Sequence, residues 1–406
     1  MKAVILAAGE GKRMRPLTFT RPKAMVHCAG KPLLWHVLHE AKKAGVDEAL
    51  IVVKYAKEKI LDYFGKKENS LGIRIEFVEQ GEWYGTAAAL MAAKGKISGN
   101  FLVLAGDIIT ESSAIRKVME AHRGGIAMGA RKVDNPKHYG VLQVKDGIVS
   151  SIAEKPENPE GNLVNMAVYA MDDSVFAKLE SIKPSIRGEY ELTEVLVGAR
   201  CVETEGFWMD AAYPWHLFDA QDYLLQKMEA NAGKVENSTV KGKLIMEEDA
   251  EIVDSYVDEG MHYVGAGTKI GPHSYLRGNN SVGRNCEIGE STTVKNSILF
   301  DGVKAKHLTY IGDSIIGEGV NFGAGTQIAN FRFDEGVVNV LTEQGWVNTG
   351  RKKFGTVVGD GTKFGVLSCV MPGKTIGNGC WISSGVNVDR NIGIGRKIFL
   401  KQEKSL

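Results

Sequence analysis

From Ile270 onward an apolar side chain returns at every sixth position: Ile270, Leu276, Val282, Ile288 and Val294 form an unbroken series. Tyr310, Ile316, Phe322 and Ile328 keep the interval, and after an interruption Val358, Phe364, Val370, Ile376, Ile382 and Val388 resume it. An α-helix repeats near 3.6 residues and a half-buried strand at two, so neither produces a period of six. Six-residue edges folded into a three-sided prism do, because each coil returns the periodic side chains to one interior column. Glycine follows the periodic residue at 271, 283, 289, 317, 323, 359, 365 and 377, where a chain turning a tight corner benefits from the least hindered residue. The pattern is the hexapeptide repeat of a parallel β-helix. Met246, Ile252 and Val264 extend it backwards, Asp258 does not fit, and the repeat is expected to begin near Val240, after a helical connector at 220–234. The interruption at 331–354 is expected to hold a hairpin around Glu343-Gln344-Gly345, followed by the basic Arg351-Lys352-Lys353, and to project from one face of the prism.

The first half follows another rule. Short β-rich runs (2–8, 49–53, 75–78 and 101–105) alternate with helical patterns (33–44, 87–93 and 113–121). Such alternation implies crossover units, hence a mostly parallel sheet covered by helices on both faces. Ligands in these sheets sit beyond the C-terminal ends of the strands, where the loops starting at Ala8 and Gly106 would lie. The chain thus reads as two domains, 1–230 and 231–406, which suits its 406 residues.

Composition narrows the partners. The 50 Lys and Arg nearly cancel the 49 Asp and Glu, so a net charge of +1 exerts no global pull on nucleic acid or an anionic membrane. Five cysteines without a CxxC spacing argue against a disulfide framework or zinc knuckle and for a reducing cytosol. No apolar stretch approaches membrane-spanning length, and the chain reads as soluble and unprocessed.

The first strand runs into Leu6-Ala7-Ala8-Gly9-Glu10-Gly11-Lys12-Arg13-Met14-Arg15-Pro16-Leu17-Thr18, with Arg21-Pro22-Lys23 close behind. Glycines let backbone N–H groups approach phosphate oxygens, and Arg13 and Lys23 can neutralise charge during transfer. The loop lacks GxxxxGK[ST], and Met14 stands where a dinucleotide fingerprint needs its third glycine. It resembles the signature of the sugar-1-phosphate nucleotidyltransferases, whose remaining motifs follow in order. The resemblance implies nucleotide binding by Leu6, Ala8, Gly9, Gly11, Gln80, Gly85 and Thr86. Gln80 offers a donor and an acceptor to the edge of uracil or thymine. It implies metal binding by Asp107 and Asp210, two hard carboxylates suited to Mg²⁺. It also implies a sugar-phosphate pocket of Tyr139, Gly140, Glu154, Lys155, Asn165 and Glu191. The implied chemistry is in-line attack of a sugar 1-phosphate on the α-phosphorus, with release of pyrophosphate.

The string Lys306-His307-Leu308-Thr309-Tyr310-Ile311-Gly312-Asp313 resembles the acetyltransferase motif of bifunctional enzymes that make UDP-N-acetylglucosamine. Arg277, Lys295, Asn321 and Asn330 stand in matching surroundings. The resemblance implies that His307 is the general base toward acetyl-CoA, that Arg277 and Lys295 hold the sugar phosphate, that Tyr310 and Asn330 position the sugar, and that Asn321 lies near the acetyl transfer. Imidazole titrates near neutral pH, which suits the task. Lys306 replaces a glycine of the family, Phe331 follows Asn330, and the insertion departs from the bacterial pattern, as in the archaeal branch. Arg351, Lys352 and Lys353 could grip CoA phosphates or form a solvated turn. His27, His36, His39, His122, His138, His216, His262 and His273 lack metal spacing and receive no role. The family resemblance further implies a Rossmann-like first domain, a left-handed β-helix and a homotrimer. Two alternatives compete: a monofunctional glucose-1-phosphate thymidylyltransferase or uridylyltransferase whose β-helix only assembles it, and a scaffolding subunit like those of a translation-initiation exchange factor.

Overall fold

A computed structural model describes residues 1–65, 71–185, 188–231 and 233–401. Contacts divide the chain into two compact units. The first comprises Met1–Glu10, Arg21–Met25 and Pro32–Asp210; the second comprises Gly11–Thr20, Val26–Lys31 and Ala211–Leu406. The division falls at 210/211 rather than at 230/231, because the helix His216–Lys227 packs with the second unit. Two pieces of the N-terminal loop also group there. Among the described residues no helix is long and apolar enough to cross a membrane.

The first unit is built on a sheet ordered Arg74–Glu79, Glu48–Val53, Lys2–Leu6, Asn100–Ala105, Leu163–Asp172, Ile126–Lys132, Arg200–Glu203, Ile148–Glu154, Gly140–Lys145. The first four strands are parallel, and Leu163–Asp172 runs antiparallel to its neighbours. The sheet is therefore mixed. Continuous apolar runs are required in its centre because both faces are covered. Leu102 and Leu104 pack with Leu34, Val37, Leu38, Ile115 and Val118 on one side. Phe101 and Val103 pack with Ala87, Leu90 and Phe176 on the other. At the C-terminal edge the Ala7 N–H donates to Val52 O at 3.0 Å and the Gly106 N–H to Leu6 O at 2.9 Å. The loops after Leu6 and Ala105 thus leave side by side.

In the second unit short strands stack into three parallel sheets of nine, eight and seven, the architecture of a β-helix. Ile252, Ile270 and Ile288 pair across successive coils at a spacing of 18 residues. Leu299 pairs with Ile316 at a spacing of 17. The difference corrects one reading of the sequence: Ile311, fully buried, occupies the inner column, whereas Tyr310 faces outward and is partly exposed. The steps from Val294 to Leu299 and from Ile311 to Ile316 contain five residues, so a strict period of six loses register between them. A five-residue step also puts Val257, not Asp258, inside. The interruption forms the hairpin Asn339–Thr342 with Gly345–Asn348.

His262 is buried in this unit. Its Nε2–H faces Asp258 O at 3.3 Å and its Nδ1 faces Asn280 Nδ2 at 3.2 Å. The Asn280 amide is oriented by Oδ1, which accepts from the Ser297 N–H at 2.9 Å. A second ring proton would oppose an amide that can only donate. Burial, partly offset by the Asp258 carbonyl and carboxylate, lowers the His262 pKa to about 4. Below its ordinary pKa of about 6.5 the unfolded chain takes up a proton that the folded unit refuses until about pH 4. Stability of the second unit should therefore fall by about 2–3 kcal/mol as pH drops through that window. Thermal unfolding from pH 7 to pH 4 should show the loss, and His262→Gln should flatten it.

Candidate active sites

In the first unit the Lys23 ammonium lies 2.7 Å from Asp107 Oδ2 and 2.6 Å from Asp210 Oδ1. Asp107 follows the central strand Asn100–Ala105, and Asp210 ends Trp208–Asp210, which pairs antiparallel with Ile108–Thr110. The pairing sets Asp210 opposite Ile108, one residue beyond Asp107. Burial alone would lower the Lys23 pKa, but the two carboxylates outweigh it and raise it to about 12. The group is a permanent cation between two anions.

Gln80 is buried, and its Nε2–H donates to Trp83 O at 2.6 Å. One of its two amide protons is spent in this contact, leaving the second N–H and Oε1. Gly85 has φ +113°, and a Cβ there would stand 2.2 Å from Tyr190 O. The helix Thr86–Met91 starts at this contact, with the Ala87 N–H donating to Tyr190 O and the Leu192 N–H to Thr86 Oγ1, each at 2.9 Å. Glu191 lies between those two anchors. Exposed Trp83 stacks on Tyr190 at 4.9 Å, and Lys54 Nζ sits 3.6 Å from the Tyr84 ring centre.

A third group forms on the antiparallel strands. Gly140 pairs with Glu154, and a Gly140 Cβ would approach Glu154 Oε2 to 3.1 Å and Asn165 Cβ to 3.7 Å. Asn165 lies within 3.0 Å of the Tyr169 hydroxyl at a break in strand register. Lys155 pairs with Glu154 at 3.0 Å, and Tyr139 packs on Trp208 at 5.2 Å. Around Gly9 the space for a Cβ is open. Gly11, in the left-handed region at φ +71°, and Arg13, 5.5 Å from the Tyr213 ring centre, group with the second unit.

In the second unit Arg277, Lys295 and Gly312 share one ladder. Lys295 Nζ lies 2.7 Å from Asp313 Oδ2, both side chains nearly buried. Asn330 Nδ2 donates to the same carboxylate oxygen and lies 3.3 Å from the Tyr310 hydroxyl. Gly312 permits this closure, since a Cβ would come within 2.7 Å of Asn330 Nδ2 and the Tyr310 hydroxyl. His307 stands apart from this cluster: it ends the strand Lys304–His307, and its Nδ1 is 3.5 Å from Glu290 Oε2, both side chains more than half exposed. Asn321 is exposed on the same sheet as His307.

The nucleotidyl transferase family profile matches residues 2–227, and the GMPPB C-terminal domain profile matches 259–365. The chain is 38% identical over 412 residues to the bifunctional protein GlmU of Methanocaldococcus jannaschii, covering 99% of this chain and 98% of that one. It is 39% identical over 406 residues to the bifunctional sugar-1-phosphate nucleotidylyltransferase/acetyltransferase of Sulfurisphaera tokodaii, covering 97% and 99%. The chain belongs to this bifunctional family. Among solved structures, this GlmU-family enzyme is similar to a putative glucose-1-phosphate thymidylyltransferase from Bacillus anthracis in complex with a sucrose, with a TM-score of 0.51 and 26% identity over 58% of this chain and 98% of that one.

Three groups of this GlmU-family chain escaped the reading of its sequence. Asp313 was visible in the motif, and an acid three residues past Tyr310 was the available signal. Glu290 beside His307, and the Trp83–Tyr190 stack, carry no local signal, because each pair is joined only by folding. The Gly85 contact is testable. Gly85→Ala puts a Cβ into Tyr190 O at a backbone conformation that L residues rarely adopt, so the first unit should lose about 1–3 kcal/mol. The measurement is its thermal transition, accompanied by a change in Trp83 emission that is absent in a Trp83→Phe background.

Proposed function

We propose that the first unit transfers a nucleotidyl group from UTP or dTTP to a sugar 1-phosphate, N-acetylglucosamine 1-phosphate by preference, and that the β-helix acetylates glucosamine 1-phosphate or galactosamine 1-phosphate with acetyl-CoA. The observation that carries the first half is the Lys23 ammonium held between Asp107 and Asp210. A buried point that already gathers one cation and two hard-oxygen anions is suited to triphosphate chemistry. Two carboxylates, with phosphate oxygens and water completing the shell, fit Mg²⁺. When bound, the ion would neutralise charge on the phosphates. Leu6, Ala8, Gly9 and Gly11 would offer backbone to the phosphates, with Arg13 and Lys23 as the cations. Gln80, Gly85 and Thr86 would hold the base, and Tyr139, Gly140, Glu154, Lys155, Asn165 and Glu191 the sugar phosphate. A sugar phosphate oxygen forms the new bond to the α-phosphorus as the bridge to the β-phosphorus breaks, and pyrophosphate leaves with that electron pair. No protein nucleophile is needed, since the protein has only to align two anions and screen their repulsion.

In the acetyl transfer, Glu290 orients His307 through Nδ1, leaving Nε2 to take a proton from the sugar ammonium. The freed amine attacks the thioester carbonyl, the C–S bond breaks, and CoA leaves as the thiol, taking up the proton that the nitrogen sheds on becoming an amide. Tyr310 and Asn330 would position the sugar and Asn321 the acetyl group. Left-handed coils and a homotrimer whose adjacent copies complete the pockets belong to this reading, and both rest on the family resemblance. The described cysteines are all free, which supports a cytoplasmic setting.

Asp107→Asn should reduce Mg²⁺-dependent pyrophosphate release by at least about 100-fold, the scale of losing a group that stabilises charge in transfer. Near-normal turnover in a folded variant would remove the metal assignment. His307→Ala should abolish CoA release from acetyl-CoA and glucosamine 1-phosphate while pyrophosphate release continues; joint loss of both activities would count against two sites.

A further inference from the structure

The strands Glu48–Val53 and Arg74–Glu79 are parallel neighbours, with Val53 opposite Glu79. Lys54 and Gln80 therefore leave the sheet side by side at the C-terminal ends of the strands, where ligands of such sheets sit. The Gln80 N–H donates to Val53 O at 2.9 Å. From Gly81 to Tyr84 the chain is neither helix nor strand, so its carbonyls have no partner in regular structure. Each is met from outside the loop. Lys54 Nζ donates to Gly81 O at 2.8 Å, Glu82 O at 3.0 Å and Trp83 O at 3.3 Å, and the Tyr190 N–H donates to Tyr84 O at 2.8 Å. The same ammonium sits 3.6 Å from the Tyr84 ring centre. An ammonium has one N–H for each of three converging oxygens, an arrangement that the planar fork of an arginine does not match. Trp83 and Tyr84 are exposed, so burial does little to hold the loop and Lys54 does most.

Trp83 O has two donors, Lys54 Nζ and the buried Gln80 Nε2. A carbonyl only accepts, so it fixes which end of the Gln80 amide is nitrogen and which is oxygen. That choice bears on base identity. The imide edge of uracil or thymine sets a carbonyl acceptor beside an N–H donor, whereas cytosine sets an amino donor beside a ring-nitrogen acceptor. The two edges differ by an exchange of roles. An amide free to turn over could meet either, and one held at Trp83 O meets one.

Resting on the reading of Gln80 as a base-binding residue, we propose that Lys54 is a positioning residue for base specificity in the nucleotidyl site. It anchors the loop Gly81–Tyr84, holds Trp83 O in place, and through that oxygen keeps the Gln80 amide in the one orientation that takes uracil or thymine and refuses cytosine. Its charge is spent on loop carbonyls, and it acts on the base only through Gln80.

The test compares pyrophosphate release from UTP and from CTP by the full chain, with Mg²⁺ and N-acetylglucosamine 1-phosphate. The ratio of the two kcat/KM values is taken on one preparation, so the fraction of folded enzyme cancels. Lys54→Met keeps the stem and removes the donors, and the UTP-to-CTP ratio should fall about tenfold, the scale of one hydrogen bond lost from discrimination. Lys54→Gln, with two donors for three carbonyls, should move the ratio the same way and serves where the Met variant yields too little folded chain. Gln80→Ala should lower the ratio at least as far, and Lys54→Met added to Gln80→Ala should lower it no further. A clamp with a structural role alone would reduce kcat/KM for both triphosphates equally; an unmoved ratio, or a further fall in the double variant, overturns the proposal. A wild type that does not favour UTP over CTP, or a Gln80→Ala variant that keeps the preference, overturns the base-binding reading of Gln80 and this inference together. Preference lost in Gln80→Ala but kept in Lys54→Met overturns this inference alone.

Discussion

Strands of two to four residues cannot satisfy their own backbone groups, and the second unit depends on how each coil meets the next. The Gly265 N–H reaches Val282 O, the Gly283 N–H reaches Leu299 O, and the Gly317 N–H reaches Val358 O, each at 2.8 Å. Polar backbone left unpaired in such a core would cost more than its apolar column returns. Once that ladder is complete, the inner side chains are fixed by burial and the outer ones are free of structural duty. Arg277, Lys295, His307, Tyr310 and Asn321 all occupy outward or corner positions. Chemistry on this scaffold is therefore a matter of which outward residues fall on neighbouring rungs.

Both candidate sites hold a lysine whose charge is already matched. Lys23 faces two carboxylates and Lys295 faces one, each within 2.7 Å. A buried ammonium without a partner would shed its proton or leave the interior, so the acids permit the burial at all. The outcomes differ in net charge. One lysine against two acids leaves the first cluster net negative. One lysine against one acid leaves the second pair neutral.

The apolar column of the β-helix was legible because burial repeats along it, and Ile270, Leu276, Val282, Ile288 and Val294 are all in the core. Tyr310 was misread because aromatic and aliphatic residues look alike to a periodicity, while a five-residue edge shifts the phase unseen. In the first unit the parallel strands were legible as apolar runs, but the antiparallel portion from Gly140 to Asp172 was not. Gly140–Lys145 passes from buried to exposed, Ile148–Glu154 fully buries Val149 alone, and the irregular segment 155–162 separates it from Leu163–Asp172. Lys23, Asp107 and Asp210 were recognisable as motif members, yet their meeting is a product of the pairing of Trp208–Asp210 with Ile108–Thr110. The Gln80 N–H given to Trp83 O lies on the same side of that limit, since a side chain's partners are set by folding and not by its type.

The insertion at 331–354 shows how far the ladder tolerates interruption and what it places beside the pocket. Ile316 pairs with Val358, and Ile328 with Val370, so the coils continue in register on either side of the insertion. They can do so because the chain leaves and re-enters at adjacent points: the Phe354 N–H donates to Asn330 O at 2.9 Å and the Gly355 N–H to Asp313 O at 2.8 Å. Both acceptors belong to residues whose side chains meet at the Asp313 carboxylate. A Cβ on Gly355 would strike Gly312 O at 2.3 Å, which makes the return as close as backbone allows. The insertion is thus fastened to the backbone of the pocket at its point of return, and a displacement of its base would move Asn330 and Asp313 before it moved any inner residue.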